Sequence, residues 1–220
     1  MTKETATKDS KAFWSIKDFK ERFVDWHPRP IDSHRFYAVL VPLIEADGEL
    51  SLLYEVRSEG LVNQPGQVCF PGGKIEAGET AAECAVRETC EELNLQPQEI
   101  SLIGPMDFLH TYRNFTMYPY LGVIRKFDEQ PIKPNPDEVK ECFTVPFSFF
   151  WDSEPLLYQY AIQPQINEDF PYKTLNTEPN YRWRGGVADI PIYRYNEYPI
   201  WGLTAQITKR LVEIMREGLE

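Results

Sequence analysis

The hydrophobic pattern of the chain begins with a helical period. Apolar side chains recur every three or four positions within residues 15–26. They are Ile16, Phe19, Phe23 and Trp26. Ser15 stands directly before the first of them, where a serine hydroxyl can cap a helix. The pattern predicts a short amphipathic helix within an N-terminal extension, residues 1–34, that precedes a single domain at residues 35–216.

Two apolar runs follow this helix, and a turn pair separates them. Residues 36–44 are almost entirely apolar, and residues 50–56 form the second run. Asp47 and Gly48 lie between the runs, and this pair favours the positive φ angles of a tight turn. The pattern predicts a β-hairpin whose two strands are mostly buried.

A bend with two glycines leads into the strongest helix signal of the chain. Residues 67–70 are typical of a short strand, and Gly72 and Gly73 follow, where glycine allows the backbone to approach a ligand closely. Thr80 and Glu83 have the spacing of a capping box. Alanine-rich sequence continues from this point, so we expect a helix over about residues 80–93.

The second half of the chain alternates strand and helix patterns. Strands are predicted around residues 100–109, 118–124, 138–145 and 181–189, and a final helix over residues 202–216. A mixture of strands with a few helices predicts an α/β sandwich. The aromatic run at residues 143–151 fits either a substrate channel or a core or dimer surface.

Three glutamates share one face of the helix predicted near residues 80–93. Glu88, Glu91 and Glu92 lie three and four residues apart, which places their carboxylates side by side. Crowded carboxylates repel and raise one another's pKa unless a cation lies among them. Oxygen ligands without paired histidines or thiolates suit Mg²⁺ or Mn²⁺. The pattern predicts a divalent cation site, although a solvated charged helix face would also present such glutamates.

An arginine is placed to orient these acids. Arg87 lies four residues before Glu91, and a charge-assisted pair could hold that carboxylate in position. Glu79, just before the helix, is expected to pair with Arg87 in the same way. The arginine therefore joins the candidate site as a positioning group.

Charge and cysteine usage narrow the class of partner. The chain has 23 Lys and Arg against 34 Asp and Glu, a net charge of −11, which disfavours nonspecific binding to nucleic acid or to an anionic membrane. Its 4 cysteines form no Cys-x-x-Cys pair and are expected to be reduced. The N-terminal residues contain no apolar run typical of a signal peptide or membrane span, so a cytoplasmic protein is predicted.

The spacing of the glycine bend and the acidic helix resembles the signature of the Nudix hydrolases. Gly73 is followed by five residues, Glu79, seven residues and then Arg-Glu-x-x-Glu-Glu from Arg87. Thr89 stands where the family usually has an aliphatic residue, and its hydroxyl needs a carbonyl one turn back. Asn94 replaces the usual glycine, and asparagine tolerates a left-handed helix end. The resemblance implies a Nudix-type α/β/α sandwich with a mixed sheet.

The resemblance also implies roles for the acidic residues. Glu88, Glu91 and Glu92 would bind Mg²⁺ or Mn²⁺ with a backbone carbonyl of the Gly72–Gly73 bend, and Glu88 is alternatively the base. Glu138 is either a further metal ligand or base, or part of a solvated turn. The implied catalytic set is Glu79, Arg87, Glu88, Glu91 and Glu92.

A segment upstream of the helix is similar to the extra signature of the coenzyme A pyrophosphatase branch of this family. It comprises Arg57-Ser, then Leu61, then the run Gly-Gln-Val-Cys-Phe-Pro-Gly-Gly over residues 66–73. Val62 and Gln64 stand where that branch carries an arginine and a histidine, which removes two groups suited to phosphate. The implied substrate-binding residues are Arg57, Gly66, Gln67, Gly72 and Gly73. Arg57 would contact a phosphate, or it is a strand-end arginine in a surface ion pair.

The branch implies hydrolysis of coenzyme A or its thioesters to 3′,5′-ADP and 4′-phosphopantetheine or its acyl form. The changes at Val62 and Gln64 leave ADP-ribose, NADH and dinucleoside polyphosphates open as substrates, and a non-catalytic nucleotide sensor is the alternative from another class. The expected partner is a small nucleoside diphosphate derivative, with no nucleic acid or membrane, and a homodimer is possible. His110 could contact substrate, but a lone histidine is more often structural.

Overall fold

The computed structural model describes residues 14–46, 48–125 and 132–217. The chain divides into two units, Met1–His34 and Arg35–Glu220. In the described ranges, no helix is both long and apolar enough to cross a membrane.

The first unit contains the predicted N-terminal helix. Helix α1 spans Ile16–Phe23, and Ser15 caps it by accepting a hydrogen bond from the Asp18 amide. The Asp18 carboxylate in turn accepts from the Ser15 amide, which completes a capping box. Its apolar residues, Phe19 and Phe23 among them, are exposed.

The second unit contains an α/β fold that alternates strands with three further helices in the described ranges. Its elements are β1 (Arg35–Ala46), β2 (Glu49–Arg57), β3 (Val68–Cys69), β4 (Gly72–Lys74), α2 (Ala81–Leu93), β5 (Ile100–Pro105), β6 (Leu109–Thr111), β7 (Phe115–Ile124), β8 (Val139–Pro146), α3 (Phe147–Asp152), β9 (Leu156–Ile162), β10 (Gly186–Tyr195), β11 (Tyr198–Trp201) and α4 (Gly202–Glu217). A 3-10 turn, Pro97–Glu99, precedes β5.

A mixed sheet forms the centre of this unit. Within the described residues it has 8 strands, with the path β3-β2-β1-β7-β5, while β4 pairs with β1, β6 with β7 and β8 with β2. Strands β1 and β7 run parallel, and the other pairs are antiparallel. The predicted hairpin is present as β1 and β2, whose residues 43–46 pair with residues 49–52. A separate antiparallel sheet has the order β11-β10-β9.

The two faces of the central sheet are covered by different helices. On one face, Ala38 of β1 packs against Cys84 and Ala85 of α2. Its neighbour Val39 points to the opposite face, into the larger core cluster that includes Leu211 of α4. This alternation follows the two-residue period of a strand and confirms the predicted α/β/α sandwich.

The aromatic run at residues 143–151 belongs to the core. Phe143 and Phe150 are buried, and both rings lie beside Tyr54 of β2. The core interpretation of this run is confirmed. The short helix α3 within the run was not predicted from the sequence.

Two of the later strand predictions differ from the structure. The strand expected at residues 100–109 is divided into β5 and β6, and the pairing of β5 with β7 shifts register within β5, between Leu102 and Gly104. The strand expected at residues 181–189 lies further along the chain, at Gly186–Tyr195.

Candidate active site

Helix α2 has the predicted ends. The Thr80 hydroxyl accepts from the Glu83 amide, and the Glu83 carboxylate accepts from the Thr80 amide at 2.8 Å, which satisfies two otherwise unpaired donors. At the other end Asn94 has φ of 52°, in the left-handed region, and its side-chain amide donates to the Lys133 carbonyl at 2.9 Å. Both the capping box and the asparagine end are confirmed.

The threonine that interrupts the apolar face of α2 is satisfied internally. Thr89 is fully buried, and its hydroxyl donates to the Ala85 carbonyl one turn earlier at 2.6 Å. A buried hydroxyl with its hydrogen bond made costs little, so the methyl group can pack in the core. The expected backbone partner is confirmed.

The glycine bend brings the backbone against both β1 and α2. A Cβ on Gly72 would lie 2.3 Å from the Ala38 carbonyl oxygen, and one on Gly73 would lie 2.2 Å from the carboxyl carbon of Glu88. Any larger residue at Gly73 would therefore displace the Glu88 carboxylate. The Gly73 carbonyl accepts a weak hydrogen bond from the Cys84 thiol at 3.6 Å.

Glu92 is held by the same bend. Its residue surface is 4% exposed, and Oε2 accepts from the Gly72 amide at 2.8 Å. Burial raises the pKa of Glu92 to about 9, with the charge of Glu55 as the next cause, while the Gly72 amide acts to lower it. Proton or cation binding would relieve this cost of burying the negative charge.

Arg87 connects the predicted acids with one guanidinium group. Nε and Nη2 donate to the two Glu79 oxygens at 2.7 and 3.1 Å, a bidentate pair. Nη1 lies 2.9 Å from Glu88 Oε1 and 3.1 Å from Glu91 Oε2. The hydrogen bonds from Arg87 lower the pKa of Glu79 to about 2. The predicted pairing of Arg87 with Glu79 and Glu91 is present in the structure.

The three helix carboxylates have different environments. Glu88 is half-buried, and burial raises its pKa while Arg87 lowers it. Glu91 is exposed and bound to Arg87, whereas Glu92 is buried under the bend. The structure therefore places Glu88 and Glu92 toward the sheet and Glu91 at the solvent edge of the site.

Glu138 lies in the turn before β8 and is tied to the end of α2. The amide of Asn135 donates to the Glu92 carbonyl at 2.8 Å, and the Glu138 amide donates to the Asn135 carbonyl at 3.1 Å. The charge of Glu138 raises the pKa of both Glu88 and Glu92. The backbone hydrogen bonds therefore hold the turn of Glu138 against the end of α2.

Arg57 ends β2 at the start of a closed loop, residues 58–67. Its Nε donates to the Asn63 carbonyl at 3.2 Å, and its backbone exchanges hydrogen bonds with Gly66 and Gln67. The Ser58 amide donates to the Glu138 carbonyl at 2.8 Å, which joins this loop to the acidic turn. The predicted substrate-binding residues Arg57, Gly66 and Gln67 thus share one loop beside Glu138.

Sequence reasoning missed one acid, Glu55 of β2. It is 1% exposed, its Oε1 accepts from the Cys69 thiol at 3.2 Å, and its Oε2 has no hydrogen-bond partner in the described parts of the chain. Burial raises its pKa to about 7, and the charge of Glu138 also acts to raise it. The sequence signal that could have identified Glu55 is its position as a single charged residue inside an apolar strand.

The donor set suits a hard divalent cation. The carboxylates of Glu55 and Glu92 are buried and that of Glu88 is half-buried, and Mg²⁺ and Mn²⁺ prefer oxygen donors of this kind. Among the residues that the structure describes, no three His, Cys, Asp or Glu side chains form a ready-made cluster for a metal ion. Arg87 accounts for part of this, because it pairs with Glu88 and Glu91.

His110 lies outside this set of acids. Its Nδ1 is 2.9 Å from the Thr116 hydroxyl of the neighbouring strand β7. A hydrogen bond between paired strands fits the structural interpretation of this histidine.

Comparison with known proteins places these features in context. A family model described as the NUDIX domain matches residues 34–159. The peroxisomal coenzyme A diphosphatase NUDT7 of Mus musculus is 34% identical over 171 residues, 74% of this chain and 69% of the relative. The mitochondrial coenzyme A diphosphatase NUDT8 of Homo sapiens is 31% identical over 185 residues, which are 82% of this chain and 70% of the relative. The uncharacterized Nudix hydrolase NudL of Pectobacterium atrosepticum is 30% identical over 202 residues, which are 90% of this chain and 93% of the relative.

Proposed function

The chain belongs to the Nudix hydrolase family, and from that premise we propose that it hydrolyses the pyrophosphate bond of coenzyme A or its thioesters. Membership makes it a pyrophosphohydrolase; the proposal concerns the substrate and the products, 3′,5′-ADP and 4′-phosphopantetheine or its acyl derivative. The observation that carries it is the identity of 34% over 171 residues with a relative named as a coenzyme A diphosphatase.

Glu88, Glu91, Glu92 and Glu138 are the residues that would hold Mg²⁺ or Mn²⁺. A bound divalent cation neutralises phosphate charge and lowers the pKa of bound water. This chain has a net charge of −11, so a polyphosphate substrate depends on such local positive charge.

The protein's own contribution is to position oxygen atoms. The Gly72 amide fixes one carboxylate oxygen of Glu92, and Gly73 leaves the space that the Glu88 carboxylate fills. Arg87 orients Glu91 while Glu79 holds the guanidinium from the other side. Glu88 can either bind the cation or accept the proton of the attacking water, because it is half-buried and its pKa is raised.

Substrate contacts fall to the loop at residues 58–67 and the strand end before it. We assign phosphate contact to Arg57, and close backbone approach to Gly66, Gln67 and the Gly72–Gly73 bend. The loop has a glycine at φ of +69°, and the Arg57 side chain closes it by donating to the Asn63 carbonyl.

The direct test incubates the purified protein with coenzyme A and Mg²⁺ or Mn²⁺ and detects 3′,5′-ADP by chromatography. We expect product from the wild type, and about a 100-fold or greater loss of kcat in Glu92→Gln, which removes a proposed ligand. The exposed Glu197→Gln in the turn before β11 is the matched control and should keep full activity. Absence of product with several divalent metals would contradict the proposal, and a nucleotide sensor would show no turnover to lose.

Two positions in the loop leave a second group of substrates open. Val62 is 96% exposed and Gln64 has φ of 54°, where the coenzyme A branch usually has an arginine and a histidine. A loop without that arginine and histidine binds the coenzyme A phosphates less strongly. Ranking coenzyme A, acetyl-coenzyme A, ADP-ribose, NADH and a dinucleoside polyphosphate by kcat/KM separates the candidates.

The cytoplasmic location and the homodimer stay predictions.

A further inference from the structure

Glu55 lies on the face of the central sheet that α2 covers. Along β2 the side chains alternate, so that Leu53 packs with Leu93 of α2 while Tyr54 lies in the cluster on the opposite face. Glu55 is two residues beyond Leu53 and therefore shares its face. On α2 the residue next to Leu93 is Glu92, so the two acids approach the same region from the strand and from the helix.

Two thiols flank Glu55 across the sheet. Cys69 of β3 and Cys142 of β8 are its register partners on the two neighbouring strands. The Cys69 thiol donates to Oε1 of Glu55, which leaves Oε2 buried and without a hydrogen-bond partner within the described residues. The guanidinium Nε of Arg57, on the same strand, donates to a loop carbonyl.

The charge of Glu55 is felt by the proposed metal ligands. Of the charged groups that raise the pKa of Glu92, Glu55 has the largest effect, ahead of Glu88 and Glu138. Burial of one carboxylate costs several kcal/mol without a counter-charge, and clustering of several adds repulsion. A carboxylate that only accepted the Cys69 thiol would not require this location beside Glu92 and Glu138.

We propose that Glu55 is an additional oxygen ligand for a divalent cation, at the buried end of the site where Glu92 lies. The inference rests on the proposed function, since it assumes that the acids of α2 bind Mg²⁺ or Mn²⁺. It assigns the orphaned Oε2 to the cation, with Oε1 oriented by Cys69. The strand thus contributes an acid that the helix motif alone does not contain.

The test measures Mn²⁺ binding to the full chain by electron paramagnetic resonance, without substrate. Glu55→Gln preserves side-chain size and removes the charge, and Glu55→Met replaces the charge by an apolar group of similar length. We expect both to weaken Mn²⁺ binding by about tenfold or more. The exposed Glu197→Gln should bind Mn²⁺ as the wild type does.

Melting temperatures without metal distinguish loss of a ligand from loss of the fold. Both Glu55 variants should melt at or above the wild-type temperature, because they remove a buried carboxylate whose Oε2 has no hydrogen-bond partner within the described residues. Wild-type Mn²⁺ affinity in folded Glu55→Gln and Glu55→Met, alongside weakened binding in Glu92→Gln, would overturn the role of Glu55 and leave the proposed function intact.

Failure of the wild type to bind Mn²⁺ would overturn the inference. If the wild type also fails to release 3′,5′-ADP from coenzyme A with any divalent metal, the proposed function fails with it. The binding and turnover measurements on one preparation therefore separate the two failures.

Discussion

At the scale of single residues, the site depends on the smallest side chain in it. Gly73 has no Cβ, and the Glu88 carboxylate occupies the space where one would be. Arg87 acts on the other side of the same carboxylate, with Nη1 at 2.9 Å from its Oε1. A glycine and an arginine thus determine the position of one proposed metal ligand, although neither is an acid.

Gly73→Ala should lower kcat/KM by about 100-fold or more, because a shift of about 1 Å in a reacting group has that effect. A Cβ at this position would be 2.2 Å from the carboxyl carbon of Glu88, so the carboxylate must move. Steady-state hydrolysis of coenzyme A measures the loss. Gly186→Ala is the matched control, since a Cβ there meets nothing within 4 Å. Full activity in Gly73→Ala would show that the position of Glu88 does not matter.

The residues of the site differ in how far the sequence could predict them. Fixed spacing predicted Arg87, Glu88, Glu91 and Glu92 as neighbours, because residues close in a helix are close in the chain. Glu55 was missed, since its neighbours Cys69 and Glu92 are brought to it by strand pairing and helix packing over long separations. Local pattern shows that a strand is apolar, but it does not show what faces a single acid within it.

At the scale of elements, α2 forms from local signals that agree with one another. Its capping box, its buried Thr89 with a carbonyl partner and its asparagine end were all expected from sequence. The elements β9, α3 and β11 were not expected. Strand β9 is exposed at nearly every residue and so lacks the alternation that marks a strand with one buried face.

Thr80→Ala should destabilise the protein by about 1 kcal/mol, because the Glu83 amide loses its cap. Urea unfolding followed by far-ultraviolet circular dichroism measures the change. The exposed Thr174→Ala is the control and should leave the midpoint unchanged. An unchanged midpoint in Thr80→Ala would mean that packing of α2, and not its cap, sets its stability.

At the scale of the whole molecule, an α/β/α sandwich carries buried acids near its centre. The residue patterns predicted strands mixed with a few helices, and the resemblance to the Nudix family implied the layer order. The electrostatic cost of burying these acids was not predictable. It arises because burial, together with the charge of Glu138 in the turn before β8, raises the pKa of Glu55 of β2 and of Glu92 of α2 across long sequence separations. Stability against pH is the property in which this cost can be measured.

The metal-free protein should lose stability as pH rises from about 5 toward about 9. The pKa of Glu92 is raised to about 9 and that of Glu55 to about 7, both from the usual 4.5, so the folded state keeps protons that the unfolded state has released. The contribution of these two carboxyl groups to the free energy of unfolding is complete below the usual pKa, and it declines as pH rises through the raised pKa values.

Melting temperatures across this pH range, with a chelator present, measure the decline. Glu92→Gln should flatten the profile, because glutamine does not titrate, and Glu197→Gln should leave it unchanged. A wild-type profile that is flat or rises between about pH 5 and about pH 9 would contradict the buried-acid account.

The acidic turn before β8 is anchored on both sides. The Asn135 amide binds the Glu92 carbonyl, and the Ser58 amide binds the Glu138 carbonyl, so rigid peptide groups connect the helix end, the turn and the loop of Arg57. The conformational entropy of this edge is therefore lost when the chain folds and not when a substrate arrives. Preorganisation of this kind reduces the ordering cost that a ligand meets at this edge.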